Sequence, residues 1–293
     1  MEIIRTISWM KEASRQARAE NQIIGLVPTM GALHEGHLSL IRRAKQECSK
    51  VVVSIFVNPK QFGPNEDFAK YPRSLETDAE KLAAEGVDAV FAPEAAEIYP
   101  GGFRTYLNVD GISDRLEGHT RPGHFRGVAT VVLKLLQIVQ PHSAYFGRKD
   151  AQQLRIVQQM VGDLNLDVNI VVCPIVREHD GLALSSRNAY LNPEERAAAT
   201  ILHRALAAAR QAIQSGTRDA LQIQTILREI IQREPLATLD YAEIVDAENF
   251  ESVVRIGRSC YVLLAVFFGK TRLIDNMLVT PSPSDPDELL ASF

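Results

Sequence analysis

The segment Ile23–Val57, with the sequence IIGLVPTMGALHEGHLSLIRRAKQECSKVVVSIFV, decides the fold. It starts with a short apolar run, Ile23–Val27, and ends with the β-branched run Val51–Val57, which is typical of a strand buried on both faces. Between the two lies an amphipathic stretch, Leu38–Cys48, which predicts a helix. Strand, helix and strand within about 35 residues predict a βαβ unit, whose right-handed crossover makes the two strands parallel.

The same alternation of strand and helix patterns continues on both sides of this segment. Helical spacing from Ile4 to Ala17 predicts an amphipathic helix near the start of the chain. Three further helices and three further strands are predicted downstream, at Leu75–Glu85, Gly127–Gln140 and Ala151–Val161 and at Asp88–Ala92, Ala144–Phe146 and Val168–Val172. This order predicts an α/β fold with a doubly wound, Rossmann-like parallel sheet.

The pattern changes after Pro174, where a polar stretch leads into an alanine-rich helix. The start of that helix carries Asn192 as N-cap, Pro193 at the first helical position and Glu195 at the capping-box position. A second helix and three strands are predicted to follow, at Ala220–Gln232, Asp240–Asp246, Tyr261–Phe268 and Arg272–Val279. Helices followed by adjacent strands indicate an α+β unit.

The length of 293 residues corresponds to about two domains of ordinary size. We expect a Rossmann-like domain over residues 1–176 and a smaller α+β domain over residues 177–293, which covers the active site and ends in a loose tail from about residue 281. The net charge of −4 argues against a nucleic-acid or anionic-membrane binder. We find no apolar run long enough for a membrane helix, no signal peptide and no cysteine pair at metal-binding spacing. These features predict a cytoplasmic protein.

The loop Pro28–His37 is the first candidate for chemistry, because it follows the first predicted strand at the edge of the sheet where ligands bind. Gly31 and Gly36 allow the backbone to approach a ligand, and the helix that follows offers N–H groups to an anion. His34 and His37 could donate hydrogen bonds to phosphate oxygens. Two surface histidines in a turn are the plainer interpretation, but the glycines and the position favour a site.

Four other polar clusters have a functional and a structural interpretation. After later strands come Asn58–Gly63, with Gln61, and Gly147–Asp150, followed by Gln153, although Asp150 and Gln153 also have capping-box spacing. Leu184–Asn188 suits polyphosphate binding through Arg187, and a solvated linker explains it about as well. Arg121–Gly127 is basic, and helix-entry chemistry explains much of it. The shared placement at one sheet edge and at the domain junction predicts a ligand cleft.

Six motifs stand out along the chain: PTMGALHEGHLSLIRRA, VNPKQFGPNED, YPR, RPGHFRGVATVV, FGRKDAQQL and DGLALSSRNAYL. Taken together, they resemble the pantothenate synthetase (pantoate–β-alanine ligase) family, which belongs with the HxGH nucleotidyltransferases and class I aminoacyl-tRNA synthetases. They run in order from Pro28 to Leu191, and the last hundred or so residues fit in length and layout only. Several long motifs in order are far more specific than any one of them.

The resemblance implies a reaction in two steps. Pantoate attacks the α-phosphate of ATP to give pantoyl adenylate and pyrophosphate, and β-alanine then attacks the acyl carbon to give pantothenate and AMP. The residues that match ATP-binding positions are Met30, Gly31, Ala32, Leu33, His34, Glu35, Gly36, His37, Gly147, Arg148, Lys149, Asp150, Val176, Leu184, Ser185, Ser186 and Arg187. Arg148 stands where other members vary, and no role is attached to its side chain.

The resemblance also assigns the chemistry within that set. His37 is implied as the catalytic donor, with His34 beside it on the phosphates. Lys149 and Arg187 lie in the matched ATP-binding stretches, and their positive charges suit neutralisation of phosphate. Pantoate is implied to bind Gln61 and Gln153, with Gln61 also near β-alanine. Magnesium is expected with ATP, with Asp78 as the nearest match to a ligand carboxylate, and the expected assembly is a homodimer.

Three other functions are weighed against this one. An HxGH nucleotidylyltransferase acting on another small acid would stop at the adenylylated product, and the paired Gln61 and Gln153 argue against it. A tRNA synthetase is disfavoured because acidic residues outnumber basic ones from Arg177 onward. A non-catalytic nucleotide-sensing module would be expected to lose His37 or Lys149, and both are present.

Overall fold

The structure is a computed structural model that describes residues 1–64 and 66–281. Contacts divide it into two units. The first contains Met1–Arg148 and Gln152–Cys173, and the second contains Lys149–Ala151 and the chain from Pro174 onward. The tail predicted from about residue 281 falls almost wholly outside the described residues. No helix in the described ranges is both long enough and apolar enough to cross a bilayer.

A six-stranded parallel sheet forms the centre of the first unit, in the order β1-β4-β3-β2-β5-β6. Its strands are β1 (Glu2–Ile4), β2 (Ile24–Thr29), β3 (Lys50–Ile55), β4 (Ala89–Phe91), β5 (Ser143–Gly147) and β6 (Asn169–Cys173). The chain runs from β2 outward through β3 to β4, and then returns to the other side of β2 as β5. The predicted doubly wound sheet is confirmed, with its switch point between β2 and β5.

Helices accompany the strands of the first unit. They are α1 (Ile7–Ala19), α2 (Glu35–Glu47), α3 (Leu75–Ala84), α4 (Ala95–Ile98), α5 (Glu117–Thr120), α6 (His124–Val139) and α7 (Ala151–Asp163). Val52 lies in one apolar cluster while its neighbours Val51 and Val53 lie in another. Because successive strand residues point to opposite faces, β3 is buried on both faces, as its β-branched run predicted.

The start of the chain differs from the prediction. Ile4 is not part of the first helix but of β1, where it pairs with Phe91 in parallel register and is completely buried. The helix begins at Ile7, because the hydroxyl of Thr6 accepts a hydrogen bond from the Trp9 N–H at 3.3 Å and caps it. A strand of three residues is too short to show a period of its own.

In its described part, up to residue 281, the second unit has a three-stranded antiparallel sheet in the order β7-β8-β9 and three α-helices. These elements are α8 (Pro193–Ala198), α9 (Ile201–Gln214), α10 (Ala220–Gln232), β7 (Ala237–Asp246), β8 (Cys260–Phe268) and β9 (Thr271–Val279). The predicted capping box is confirmed, since the Asn192 and Glu195 side chains each accept from the other residue's N–H, at 2.8 and 3.0 Å. The alanine-rich helix is interrupted at Ala199–Thr200, so that two helices form where one was predicted.

Candidate active site

Three of the predicted clusters start at the same edge of the first unit's sheet. Strands β3, β2 and β5 are neighbours, and all strands of this sheet are parallel. The loop with His34 and His37 follows β2, the turn with Gln61 follows β3, and Gly147 ends β5. In an open parallel sheet, the crevice at the switch point is where ligands bind. The strand order therefore places these three clusters at one edge of the sheet, as the sequence predicts.

The loop after β2 turns sharply at Gly31 and Ala32, whose φ angles are +83° and +52°. Thr29 supports this turn: its hydroxyl accepts from the Gly31 N–H at 3.1 Å and donates to the Ser54 carbonyl at 2.7 Å. A Cβ atom at position 31 would lie 2.9 Å from Asp78 Oδ2. Glycine is thus required there for both the backbone angle and the close approach.

Asp78 and Lys81 of α3 hold the next two residues of the loop. The two carboxylate oxygens of Asp78 accept from the N–H groups of Ala32, at 2.9 Å, and Leu33, at 2.8 Å. Lys81 Nζ donates to the Leu33 carbonyl at 2.6 Å. The Asp78 side chain is buried, and its charge is satisfied by these donors.

The position of Asp78 does not fit the magnesium ligand that the resemblance implied. Mg²⁺ requires oxygen ligands in near-octahedral geometry, whereas both Asp78 oxygens face N–H hydrogens of the loop. The described part of the chain also holds no group of three His, Cys, Asp or Glu side chains that could bind a metal ion. Asp78 is therefore an anchor of the loop in this structure.

His34 and His37 lie side by side at the start of α2, with ring centroids 4.1 Å apart. Helix α2 begins at Glu35, three residues before the prediction, so His37 lies in its first turn. His34 Nδ1 accepts from the Gly36 N–H at 3.2 Å, and His37 Nδ1 accepts from the His34 N–H at 3.4 Å. Because Nδ1 is an acceptor in both rings, the neutral tautomer carries its proton on Nε2. Each imidazole can therefore act as a donor through Nε2.

Gln61 is buried at the end of a 3₁₀ turn, Pro59–Gln61, and its amide has a defined orientation. Asn58 Nδ2 donates to Gln61 Oε1 and to the Gly127 carbonyl, both at 3.1 Å. Asn58 Oδ1 in turn accepts from the Tyr99 hydroxyl at 2.8 Å. The Gln61 Nε2 group donates to Met30 Sδ at 3.2 Å, so the structure brings Gln61 to the loop after β2.

The main chain of Gln61 is held from the other side by residues of the RPGHFRG motif. His124 Nδ1 lies 2.8 Å from the Gln61 carbonyl, and Arg121 pairs with Glu66 at 2.6 Å. Burial, with a smaller contribution from the Arg121 charge, lowers the pKa of His124 to about 4, so this imidazole is neutral at physiological pH. A Cβ atom on Gly127 would lie 2.2 Å from the Lys60 carbonyl, so α6 can approach the turn only with glycine there.

The sequence interpretation of this motif as helix entry was incomplete. Its basic residues and glycine position the main chain of Gln61. Asn58, which the sequence marks only as part of a loop, orients the Gln61 amide. The one available signal is Gly127, the first residue of the predicted helix Gly127–Gln140, since a glycine in a helical pattern often has a packing reason.

The cluster after β5 is divided between the two units. Gly147, Arg148 and Gln153 belong to the first unit, and Gln153 lies half-buried in the first turn of α7. Arg148 is buried, with 4% of its surface exposed. The neighbouring Gln152 is buried and donates to the Ile112 and Arg115 carbonyls at 2.8 Å, which fixes this end of α7.

In the second unit, Lys149 Nζ lies 3.6 Å from Asp150 Oδ1. Val176 and Leu184 face each other across a short hairpin, where the Leu184 N–H donates to the Val176 carbonyl at 3.0 Å. Ser185 caps the 3₁₀ turn Ser186–Tyr190, since its hydroxyl accepts from the Arg187 N–H at 3.3 Å. The structure thus brings Val176 and the Leu184–Arg187 segment together within this unit.

Comparison with known proteins gives one consistent family. The family model described as Pantoate-beta-alanine ligase matches residues 2–278. The pantothenate synthetase of Acetivibrio thermocellus is 54% identical over 279 residues, which cover 95% of this chain and 99% of that protein. The pantothenate synthetase of Heliobacterium modesticaldum is also 54% identical over 279 residues, with the same coverage of both chains.

Solved structures agree with this result. The pantothenate synthetase of Thermus thermophilus has a TM-score of 0.90 and 44% identity, covering 97% of this chain and 100% of that one. A pantoate-beta-alanine ligase from Francisella tularensis, complexed with Beta-gamma ATP and Beta-alanine, has a TM-score of 0.78 and 39% identity, covering 96% of this chain and 100% of that one. The chain belongs to the pantoate–β-alanine ligase family.

Proposed function

We propose that this chain is an ATP-dependent ligase that condenses pantoate with β-alanine through a pantoyl adenylate. The observation that carries the proposal is the His34–His37 pair, which lies in the loop and first helical turn after β2, at the switch point of the sheet. The oriented amide of Gln61 contacts the same loop at Met30. A related ligase that has been solved with Beta-gamma ATP and Beta-alanine supports ATP and β-alanine as substrates.

In the first step, a carboxylate oxygen of pantoate attacks the α-phosphorus of ATP. A new P–O bond forms, the bond to the pyrophosphate oxygen breaks, and pyrophosphate leaves with the electron pair. The carboxylate is ionised at neutral pH, so this step needs no general base. It needs alignment of the reactants and stabilisation of charge on the phosphate oxygens.

The residue types present suit that requirement. We assign the Nε2 protons of His37 and His34 to phosphate oxygens, with His37 as the principal donor. Lys149 and Arg187 are assigned to neutralise phosphate charge, and the remaining matched positions in Met30–His37, Gly147–Asp150, Val176 and Leu184–Arg187 bind ATP. The N-terminus of α2 adds a partial positive charge beside the two imidazoles.

Gln61 and Gln153 are assigned to pantoate. The thioether sulfur of Met30 is a weak acceptor, so a substrate oxygen would be a stronger partner for Gln61 Nε2. In the second step, the amine of β-alanine attacks the acyl carbon near Gln61. The C–O bond to the phosphate breaks, AMP leaves with that oxygen, and the amine nitrogen releases a proton.

Magnesium, assembly and location are further proposals. Mg²⁺ would be held by the ATP phosphates, because Asp78 is engaged with the loop. A homodimer is proposed from the family, and a cytoplasmic location from the sequence features. The domain boundary near residue 176 and the closure of the smaller domain over the adenylate stay predictions.

The proposal is tested by the exchange of labelled pyrophosphate into ATP. We expect exchange only when pantoate is present, and AMP release when β-alanine is then added. Exchange that ignores pantoate, or that proceeds with another small acid only, would favour a nucleotidylyltransferase. Nucleotide binding without exchange under any condition would favour a sensing module.

A further inference from the structure

Strand β9 of the second unit carries two adjacent buried polar residues, Asp275 and Asn276, each 2% exposed. Neither was a candidate site residue in the sequence. Burying a carboxylate and an amide in a small sheet is costly unless both make good hydrogen bonds. The hydrogen-bond partners of Asp275 and Asn276 therefore indicate what these two side chains hold in place.

Asn276 is bonded to the segment that contains Lys149. Its Nδ2 group donates to the Lys149 carbonyl at 2.7 Å, across 127 residues of sequence. A short, partly buried hydrogen bond to the main chain fixes the position of the Cα atom from which the Lys149 side chain starts. Lys149–Ala151 and Asn276 belong to the same unit.

Asp275 is bonded to the hairpin that leads to Ser185–Arg187. Arg177 binds it through two parallel contacts, from Nη1 at 2.7 Å and from Nη2 at 2.9 Å. The same guanidinium donates to the Gly181 carbonyl at the hairpin turn, at 2.9 Å, and Arg177 pairs with Ala183 across the hairpin. A bidentate arginine–carboxylate pair restricts both distance and orientation.

We propose that Asp275 and Asn276 are positioning residues for adenylate formation, which hold Lys149 and the Ser185–Arg187 segment in a fixed arrangement within the second unit. The inference rests on the proposed function, in which both segments bind ATP phosphates. Catalytic groups must be held within a fraction of an ångström, and support of this kind usually comes from residues behind the site.

The first test is Asn276→Ala in pyrophosphate exchange. We expect the KM for ATP to rise roughly five- to tenfold, which corresponds to the loss of one hydrogen bond. The KM for pantoate should change by less than about twofold, because Gln61 and Gln153 belong to the first unit. Equal changes for both substrates, or none for ATP, would overturn the inference.

A double-mutant cycle with Lys149→Ala separates positioning from general stability. If Asn276 acts by placing Lys149, then the KM for ATP of the double variant should exceed that of Lys149→Ala by less than about twofold. A double variant whose KM rises by the product of the two single-variant factors would contradict the proposal. Arg177→Lys, which keeps the charge but loses the bidentate geometry, should behave in the same way in combination with Arg187→Ala.

The matched control is Ile223→Ala, which removes a buried side chain from the core of the same unit. We expect it to lower the unfolding temperature while leaving the KM for ATP unchanged. A rise in that KM as large as the rise in Asn276→Ala would overturn the inference. If Asn276→Ala does not fold, Asn276→Ser and Arg177→Lys test the inference instead, through the same KM values for ATP and pantoate. Wild-type protein without pantoate-dependent exchange would refute the proposed function itself. Normal exchange in Asn276→Ala, Asn276→Ser and Arg177→Lys would refute only the positioning role.

Discussion

The imidazoles of His34 and His37 lie 4.1 Å apart between ring centroids, and each uses Nδ1 as an acceptor for a backbone N–H. This arrangement gives both rings the same tautomer and makes Nε2 the donor in each. Two neighbouring donors at a helix N-terminus suit an oxyanion whose charge is spread over several phosphate oxygens. The pair is therefore the centre of the proposed adenylation chemistry.

Replacement of His37 should affect turnover more than binding. We expect His37→Ala to lower kcat for pantoate-dependent pyrophosphate exchange by roughly 10²–10³-fold, as for the loss of an oxyanion donor, with a small change in the KM for ATP. Steady-state exchange kinetics measure both values. His119→Ala, at an exposed histidine of α5, is the control and should match the wild type. Near-normal turnover of His37→Ala would refute the catalytic role.

Replacement of Asp78 distinguishes an anchor of the loop from a metal ligand. In Asp78→Asn an amide donor faces one of the two loop N–H groups, so one of the hydrogen bonds that hold Ala32 and Leu33 is lost. Because this loop is proposed to bind ATP, we expect ATP affinity to fall by roughly tenfold. Calorimetric titration with ATP in EDTA measures this effect without any metal. Glu80→Gln, on the exposed face of α3, removes the same charge and should have little effect. An unchanged metal-free affinity, together with a raised Mg²⁺ requirement, would restore the metal assignment.

The buried His124 should make stability depend on pH. Its folded pKa is about 4 against an ordinary value of 6.5, so protonation favours the unfolded chain. The contribution of neutral His124 is complete above pH 6.5 and is lost as the pH falls toward 4, by at most ~3 kcal/mol. Urea unfolding of the wild type and of His124→Gln at about pH 7.5 and about pH 5 measures the difference. An equal loss of stability in both proteins would contradict this expectation.

Two glycines in helices should respond oppositely to alanine. At Gly127 the new Cβ atom would meet the Lys60 carbonyl at 2.2 Å, so we expect Gly127→Ala to cost about 1–3 kcal/mol and to raise the KM for pantoate through Gln61. At Gly162 the Cβ atom would meet nothing within 4 Å, and Gly162→Ala should stabilise α7 by about 0.5–1 kcal/mol. Thermal unfolding compares the two. A stabilised Gly127→Ala variant would show that the close approach is unimportant.

The sequence predicted those parts of the fold whose patterns are local. The runs around Val51–Val57 and the capping box at Asn192 have periods or spacings that lie within one element, and the structure confirms them. The strand Glu2–Ile4 was not predicted, because its only signal is its pairing with a strand far away in the sequence, Ala89–Phe91. The break between two helices at Ala199–Thr200 was not predicted, because the residues on both sides of it have good helical propensity.

The candidate site divides in the same way. His34, His37 and Gln61 were predicted because glycines and strand ends mark the loops that carry them. The roles of Asp78, Asn58 and Asn276 depend on contacts with the loop, with Gln61 and with Lys149, and the contact of Asn276 spans 127 residues. No spacing rule for one sequence can locate a hydrogen bond of that kind.

The central claim is that a pantoate oxygen attacks the α-phosphorus and leaves with AMP. Pantoate labelled with ¹⁸O in its carboxylate tests it directly, by mass spectrometry of the products after complete turnover with ATP and β-alanine. We predict one ¹⁸O atom in AMP for each pantothenate formed, and none in pyrophosphate. Label in inorganic phosphate, or AMP without label, would contradict the adenylate route.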